Sequence, residues 1–256
     1  MGGSKLKIGE IRYNTYGTPM KIINVKKNQI VEIQFLDEHG VIKESQYQNF
    51  KNGCIKNPYD RNVRGVGYFG EGVYTATDKN NPYVKRAFQV WSTMLERCHK
   101  EESRERFPAY GNCLVCDEWH NYQNFRKWYD ENYYEVGTER MHIDKDILYK
   151  NNRVYSPTTC LIVPQRINML FVHKPNKDNL PNGINKTKSG KFRVRYNGKE
   201  LGYFNSVEEG AIIHDKEKKK AIIQIANEYR NLVPERVYHA LINWIPDYID
   251  YNEYLG

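Results

Sequence analysis

Met141-His142-Ile143-Asp144-Lys145-Asp146-Ile147-Leu148 opens the stretch that decides the fold, and Cys160-Leu161-Ile162-Val163-Pro164-Gln165-Arg166-Ile167-Asn168 closes it. Between them lies a polar loop with Asn151 and Asn152, followed by Tyr155-Ser156-Pro157-Thr158-Thr159. The two apolar runs read as strands, the polar segment as their connection, and the residues after Pro164 as a helix start. The expectation is a hairpin followed by a helix, with His142 and Asp144 at one end and Asn168 at the other. An imidazole near neutral pH can take a proton from water. Asp and Asn oxygens suit a hard divalent cation, which can stabilise a departing 3′ oxygen as a Lewis acid. That pairing is what phosphodiester hydrolysis needs.

Outward from this hairpin, the 256 residues read as an α+β protein of three segments. In residues 77–174, Pro82 opens a helix whose apolar face is Val84, Phe88, Trp91 and Leu95, with Ala87 and Met94 beside it, ending near Cys98 and His99. A second helix carries Trp119, Tyr122, Phe125 and Trp128, most simply core aromatics. The first segment, 1–76, has alternation through Ile30-Val31-Glu32-Ile33-Gln34-Phe35 and a turn at Glu38-His39-Gly40. Short strands punctuated by Gly and Pro suggest a small β-barrel-like module there. The glycines of residues 64–72 lack the helix start of a nucleotide-binding loop and read as a connector.

The third segment, 175–256, begins with a linker marked by Pro175 and Pro181. Three strand candidates follow, the last two joined by Asn197-Gly198, a strong hairpin signal. Ser206-Val207-Glu208-Glu209 is a capping box and opens a long helix. Lys191, Arg193 and Arg195 alternate with Phe192 and Val194, so one strand face is basic and the other apolar. The apolar face is expected to bury against Ala211 and Ile212, and the basic one is free for phosphates and base edges. Lys186, Lys188 and Tyr196 extend the basic face. Lys216, Lys218, Lys219 and Lys220 lie on the helix, where solvation is the expected role.

Charge agrees with a polyanionic partner: 39 Lys+Arg face 31 Asp+Glu, a formal net of +8. The five cysteines are an odd number, and the amino terminus runs into polar sequence. Reduced thiols and a cytoplasmic location are expected. No apolar run approaches the roughly 18 residues of a membrane span.

The 141–168 stretch resembles the HNH nucleases of the phage homing type. In that family a strand ends in Asp-His, a loop with Asp and Asn follows, and a second strand leads into a short helix ending in Asn or His. His142 takes the place of the general base and Asn168 that of the helix-borne metal ligand, while Thr159 falls where a structural Asn commonly sits. Residues 91–98, 118–125 and 144–148 resemble phage proteins labelled HNH endonucleases. The departure is Met141, which stands where the family has a metal-binding Asp. Two explanations compete: Asp144 or Asp146 replaces that carboxylate, or the site is degenerate. Some HNH nucleases hold a structural zinc with two Cys pairs. Cys113-Leu114-Val115-Cys116 is a single pair, so Cys98, Cys116 and Cys160 read as small buried hydrophobes and structural zinc is not expected.

Residues 183–226 resemble the APETALA/ethylene-response-factor DNA-binding domain: a glycine start, a basic strand, Leu201-Gly202-Tyr203-Phe204 and a capped helix appear in order. Gly210 stands where that family usually has Ala, at about 1 kcal/mol of helix propensity. The two resemblances together imply a metal-dependent DNA endonuclease in a bacterial host cytoplasm, if phage-encoded. One Mg²⁺ or Mn²⁺ would be held by Asp144 and Asn168, with Asp146 as a further ligand. Double-stranded DNA would be read by Lys186, Lys188, Lys191, Arg193, Arg195 and Tyr196. The alternative is a non-catalytic DNA-binding protein or anti-defence factor, with the N-terminal module open to a protein partner.

Overall fold

The computed structural model describes residues 7–106, 111–172 and 180–248. The protein is mixed α and β with several small sheets, and it divides into two compact units, Met1–Glu131 and Asn132–Gly256. That boundary falls inside the 77–174 segment. No helix among the described residues is long and apolar enough to cross a membrane.

The first unit begins with β1 (Ile11–Tyr13), β2 (Pro19–Val25), β3 (Ile30–Phe35) and β4 (Ile42–Gln46), followed by the short helix α1 (Tyr47–Lys51). All neighbours are antiparallel, in the order β1-β2-β3-β4. The expected barrel-like module is therefore an open meander with no closed barrel among the described residues. Period-two alternation puts Val31, Ile33 and Phe35 on the face covered by Tyr47 and Phe50 of α1. Beside this core, the Asp60 carboxylate accepts hydrogen bonds from Asn14 Nδ2 (2.7 Å), Thr18 Oγ1 (2.6 Å) and the Asn57 amide (3.1 Å).

Helix α2 (Pro82–His99) starts as its sequence dictates: Asn81 caps it by accepting from the Tyr83 amide (3.1 Å), and Pro82 fills the first turn. Its buried face is Val84, Ala87, Trp91, Met94, Leu95 and Cys98. Trp91 Nε1 donates to the Trp119 carbonyl (2.7 Å). The charged run after Lys100 forms a short helix, α3 (Glu101–Arg106). A two-residue strand, β5 (Leu114–Val115), precedes α4 (Tyr122–Asn132), which buries Tyr122, Phe125, Trp128 and Tyr129. Tyr68 bridges to Asn121, so the glycine-rich connector packs along this aromatic core.

The second unit contains β6 (Met141–Asp144), β7 (Val154–Tyr155) and β8 (Leu161–Pro164), then the one-turn helix α5 (Gln165–Asn168). Further on come β9 (Ile184–Lys186), β10 (Phe192–Tyr196) and β11 (Lys199–Phe204), an antiparallel sheet in the order β11-β10-β9. Asn197 (φ 45°) and Gly198 (φ 80°) make the two-residue turn between β10 and β11, both in the left-handed region a type I′ hairpin requires. Pro175 of the expected linker lies outside the described residues.

Helix α6 (Val207–Tyr229) is 23 residues long. Ser206 Oγ accepts from the Glu209 amide (3.1 Å) and Glu209 accepts from the Asn205 amide (3.3 Å), one residue earlier than a standard capping box. Its first turns back the three-stranded sheet, where Ala211 packs with Ile184 and Val194. Ile212, expected in that core, is instead exposed at 36%. Gly210 is fully packed: a Cβ there would lie 2.8 Å from Val194 Cγ2, so glycine lets helix and strand approach, a role that helix propensity does not reveal. The last helix among the described residues is α7 (Glu235–Asn243).

Two of the four helix lysines correct a further expectation. Lys218 and Lys219 are buried, not solvated. Lys219 Nζ donates to the carbonyls of Ile242 and Trp244 (2.6 Å for the latter), satisfying acceptors at the end of α7. Lys218 Nζ lies 4.6 Å from the centre of the Trp244 ring, a cation–π contact. Burial depresses the basicity of both.

Candidate functional site

Strands β6 and β8 pair antiparallel with Met141 opposite Pro164, His142 opposite Val163 and Asp144 opposite Leu161. The pleat puts His142 and Asp144 on one strand face, while Met141, buried at 5%, points to the other. Helix α5 follows β8 directly and packs on both β6 and β8. Its first amide, Gln165, donates to the Arg140 carbonyl (2.9 Å), anchoring the helix beside the start of β6. Val163 on β8 and Ile167 on the helix itself are fully buried. The half-buried Asn168 is the last residue of that turn.

The loop between the strands is built by its own polar side chains. Asp144 Oδ1 accepts from the amides of Asp146 and Ile147 (2.8 Å each), which turns the chain sharply after β6. Asn152 Nδ2 donates to the carbonyls of Lys145 (2.9 Å) and Val154 (2.8 Å), closing the loop from the other side. Thr159 Oγ1 donates to the Val154 carbonyl (2.7 Å), tying the end of the loop to β7.

Electrostatics separates the two aspartates. Burial pushes the Asp144 carboxyl up to about 6, although the amides of Ile147 and Asp146 pull it the other way. Asp146 receives Lys145 Nζ on both oxygens (2.7 and 2.8 Å). Lys145 is itself buried and also donates to the Asn152 carbonyl (3.1 Å). A cation at Asp146 would have to displace an ammonium ion. Asp144 keeps Oδ2 outside the turn hydrogen bonds, and Asn168 supplies an amide oxygen, so these two suit a hard cation by donor type. Among the described residues no three His, Cys, Asp or Glu side chains form a metal-binding group.

The sheet carries the second set of candidates. Cross-strand partners of Arg193 are Asn185 on β9 and Tyr203 on β11, so these three share the face away from α6. Arg193 Nε is enclosed and has no acceptor among the described residues. Tyr203 is 52% exposed, with its hydroxyl donating to Glu200 (3.1 Å). Arg195 lies past a register shift after Val194, opposite Glu200, and donates to the Gly198 carbonyl (3.0 Å). Lys186, Lys188 and Lys191 are exposed around the turn between β9 and β10. Tyr196 turns toward the helix, its ring 5.4 Å edge-on from His214.

Comparison with protein families, curated proteins and solved structures finds no match. Sequence reasoning passed over Lys145, which holds Asp146, and the His214–Asp215 pair, in which His214 Nδ1 lies 3.1 Å from Asp215 Oδ1. Adjacent His and Asp in a helix were the only local signal for the latter.

Proposed function

We propose that this protein is a metal-dependent DNA endonuclease of the HNH type, in which the β6–β8–α5 unit cuts and the β9–β10–β11 sheet reads. The observation that carries the reading is the direct run of an antiparallel hairpin into a one-turn helix packed on both its strands, with His142 on the first strand and Asn168 at the helix end. Supporting it is a sheet whose free face presents Arg193 between Asn185 and Tyr203, with lysines at one end.

His142 accepts a proton from the attacking water, since a neutral imidazole is matched to that task near pH 7. Asp144 and Asn168 would hold one Mg²⁺ or Mn²⁺, which when bound supplies charge stabilisation to the departing 3′ oxygen. The amides of Asp146 and Ile147 fix the Asp144 carboxylate, and Lys145 keeps Asp146 turned into the loop. Arg193 and the surrounding lysines position the duplex through phosphates and base edges. A single site nicks one strand.

The test is relaxation of supercoiled plasmid with Mg²⁺ or Mn²⁺. Wild type should nick and His142→Ala should not; no cleavage by wild type, or equal cleavage by the variant, sinks the assignment. A second reading, DNA binding without cleavage, is favoured by one observation: the buried Met141 occupies the position of the family's metal-binding carboxylate. It predicts salt-sensitive, sequence-selective binding that is indifferent to His142→Ala.

A further inference from the structure

A cleft of about 520 Å³ opens in the second unit between α5 with the turn after it, the loop before β9, the end of β10 and the middle of α6. Three cations line it from three separate elements: Arg166 from α5, Arg195 from β10 and Lys218 from α6. His214 joins them, and Asn182 and Asn197 add amides. Among the described residues, no Asp or Glu lines it. The carboxylates nearby are already engaged. Glu228 pairs with Arg166 (2.6 Å), and Asp215 sits against His214 Nδ1 (3.1 Å) and accepts from the Tyr248 amide (3.0 Å).

An anion entering the cleft would meet positive side chains from three elements at once, with no carboxylate in the lining to oppose it. All three cations are held in place, Arg195 by its bond to the Gly198 carbonyl (3.0 Å). Lys218 is pinned over the Trp244 ring, and Arg166 rests against Glu228 and 5.7 Å from the centre of the Tyr229 ring. The cleft also has a definite place between the two functional elements. Arg166 is two residues before Asn168 on the same helical turn, and Arg195 is two residues after Arg193 on the same strand.

We propose that this cleft binds a phosphate of the nucleic-acid backbone, gripping the DNA between the bases read by the sheet and the bond presented to the hairpin. The proposal rests on the DNA reading above and adds to it a phosphate clamp separate from both the sheet face and His142. Arg166 and Arg195 supply planar donors suited to phosphate oxygens. The amide side chains and His214 are donors of the kind that fix a strand's register without reading its sequence.

The experiment is fluorescence anisotropy of the full chain with labelled duplexes across a salt series. Arg166→Gln is expected to weaken binding about three- to tenfold on every duplex and to flatten the slope of log K against log salt by about one. Glu228→Gln removes the carboxylate that neutralises Arg166, so it should act in the opposite sense, tightening binding and steepening the slope. Both changes are at exposed side chains, and matched thermal melts report that the variants fold. Unchanged affinity and slope in both variants overturns the clamp. Arg193→Gln separates the two ideas: if it weakens binding while Arg166→Gln is silent, the clamp falls and the sheet reading stands. Absence of duplex binding by wild type defeats both. ATP captured by wild type but not by Arg166→Gln, with duplex affinity unchanged, would give the cleft to a free nucleotide and overturn the proposal.

Discussion

Asp144→Asn sets stability against the proposed chemistry. Burial lifts the Asp144 carboxyl from its ordinary 3.8 to about 6, against the pull of the Ile147 and Asp146 amides. A rise of that size corresponds to roughly 3 kcal/mol between the protonated and charged forms, an upper figure for a loop that can relax. The sign follows from linkage: a carboxyl raised on folding contributes its full stability below the unfolded value and loses it as pH rises through the folded value. At pH 7.5 the folded chain therefore carries a charge that burial penalises. Asparagine keeps an oxygen for the two amides, now at 2.8 Å, and carries no charge. The variant should be about 1–3 kcal/mol more stable than wild type at pH 7.5, with the advantage vanishing near pH 4. Urea unfolding of the full chain at a series of pH values, followed by circular dichroism, measures this. Plasmid nicking by the same variant should collapse, because an amide is a poorer partner for a divalent cation. Magnesium should raise the unfolding midpoint of wild type and leave the variant unmoved. A variant that is less stable at pH 7.5, or whose stability difference does not change with pH, would refute the reasoning.

Gly210→Ala brings two effects into conflict: helix propensity favours it by about 1 kcal/mol, while overpacking against a stiff, buried valine opposes it by about 1–3 kcal/mol. The expected result is net destabilisation of up to about 2 kcal/mol in urea melts, turning into stabilisation when Val194→Ala has already removed the opposing methyl. Asp60→Ala strips the shared acceptor from Asn14, Thr18 and Asn57 and should cost the first unit about 3–5 kcal/mol, read by tryptophan fluorescence during urea unfolding; a loss under 1 kcal/mol would mean that water replaces the carboxylate.

What could be read from the sequence was what depends on near neighbours in the chain. Asn81-Pro82 marks the start of α2, Asn197-Gly198 the turn between β10 and β11, and Ser206 with Glu209 the start of α6, because caps and turns are settled within four residues. The alternation of Arg193 and Val194 likewise places one outward and one in the core. The rest needed partners far along the chain. Whether four strands close into a barrel depends on β1 meeting β4, which no local pattern encodes. Lys218 and Lys219 sit in a run of lysines that looks solvated, and only Trp244 and the end of α7 make them buried. At the candidate site, His142, Asp144 and Asn168 were visible as residue types at suggestive positions. The burial that raises Asp144 and the lysine that occupies Asp146 were not, since Lys145 looks like any loop cation.

Helix α6 belongs to two hydrophobic cores at once. Ala211 near its start lies under the three-stranded sheet, and Ile222, Ala226 and Tyr229 near its end pack with Leu161, Val163 and Ile167 of the hairpin and its helix. An uninterrupted helix of 23 residues is about 35 Å long and resists bending. The two modules are thus not beads on a string. The helix acts as a caliper whose jaws are the sheet and the hairpin, so the distance between the sheet face that carries Arg193 and the strand that carries His142 is set by a count of helical turns. Inserting or deleting a residue there would rotate one jaw against the other by about 100°, so the spacing of the two candidate surfaces is fixed by the length of a single helix.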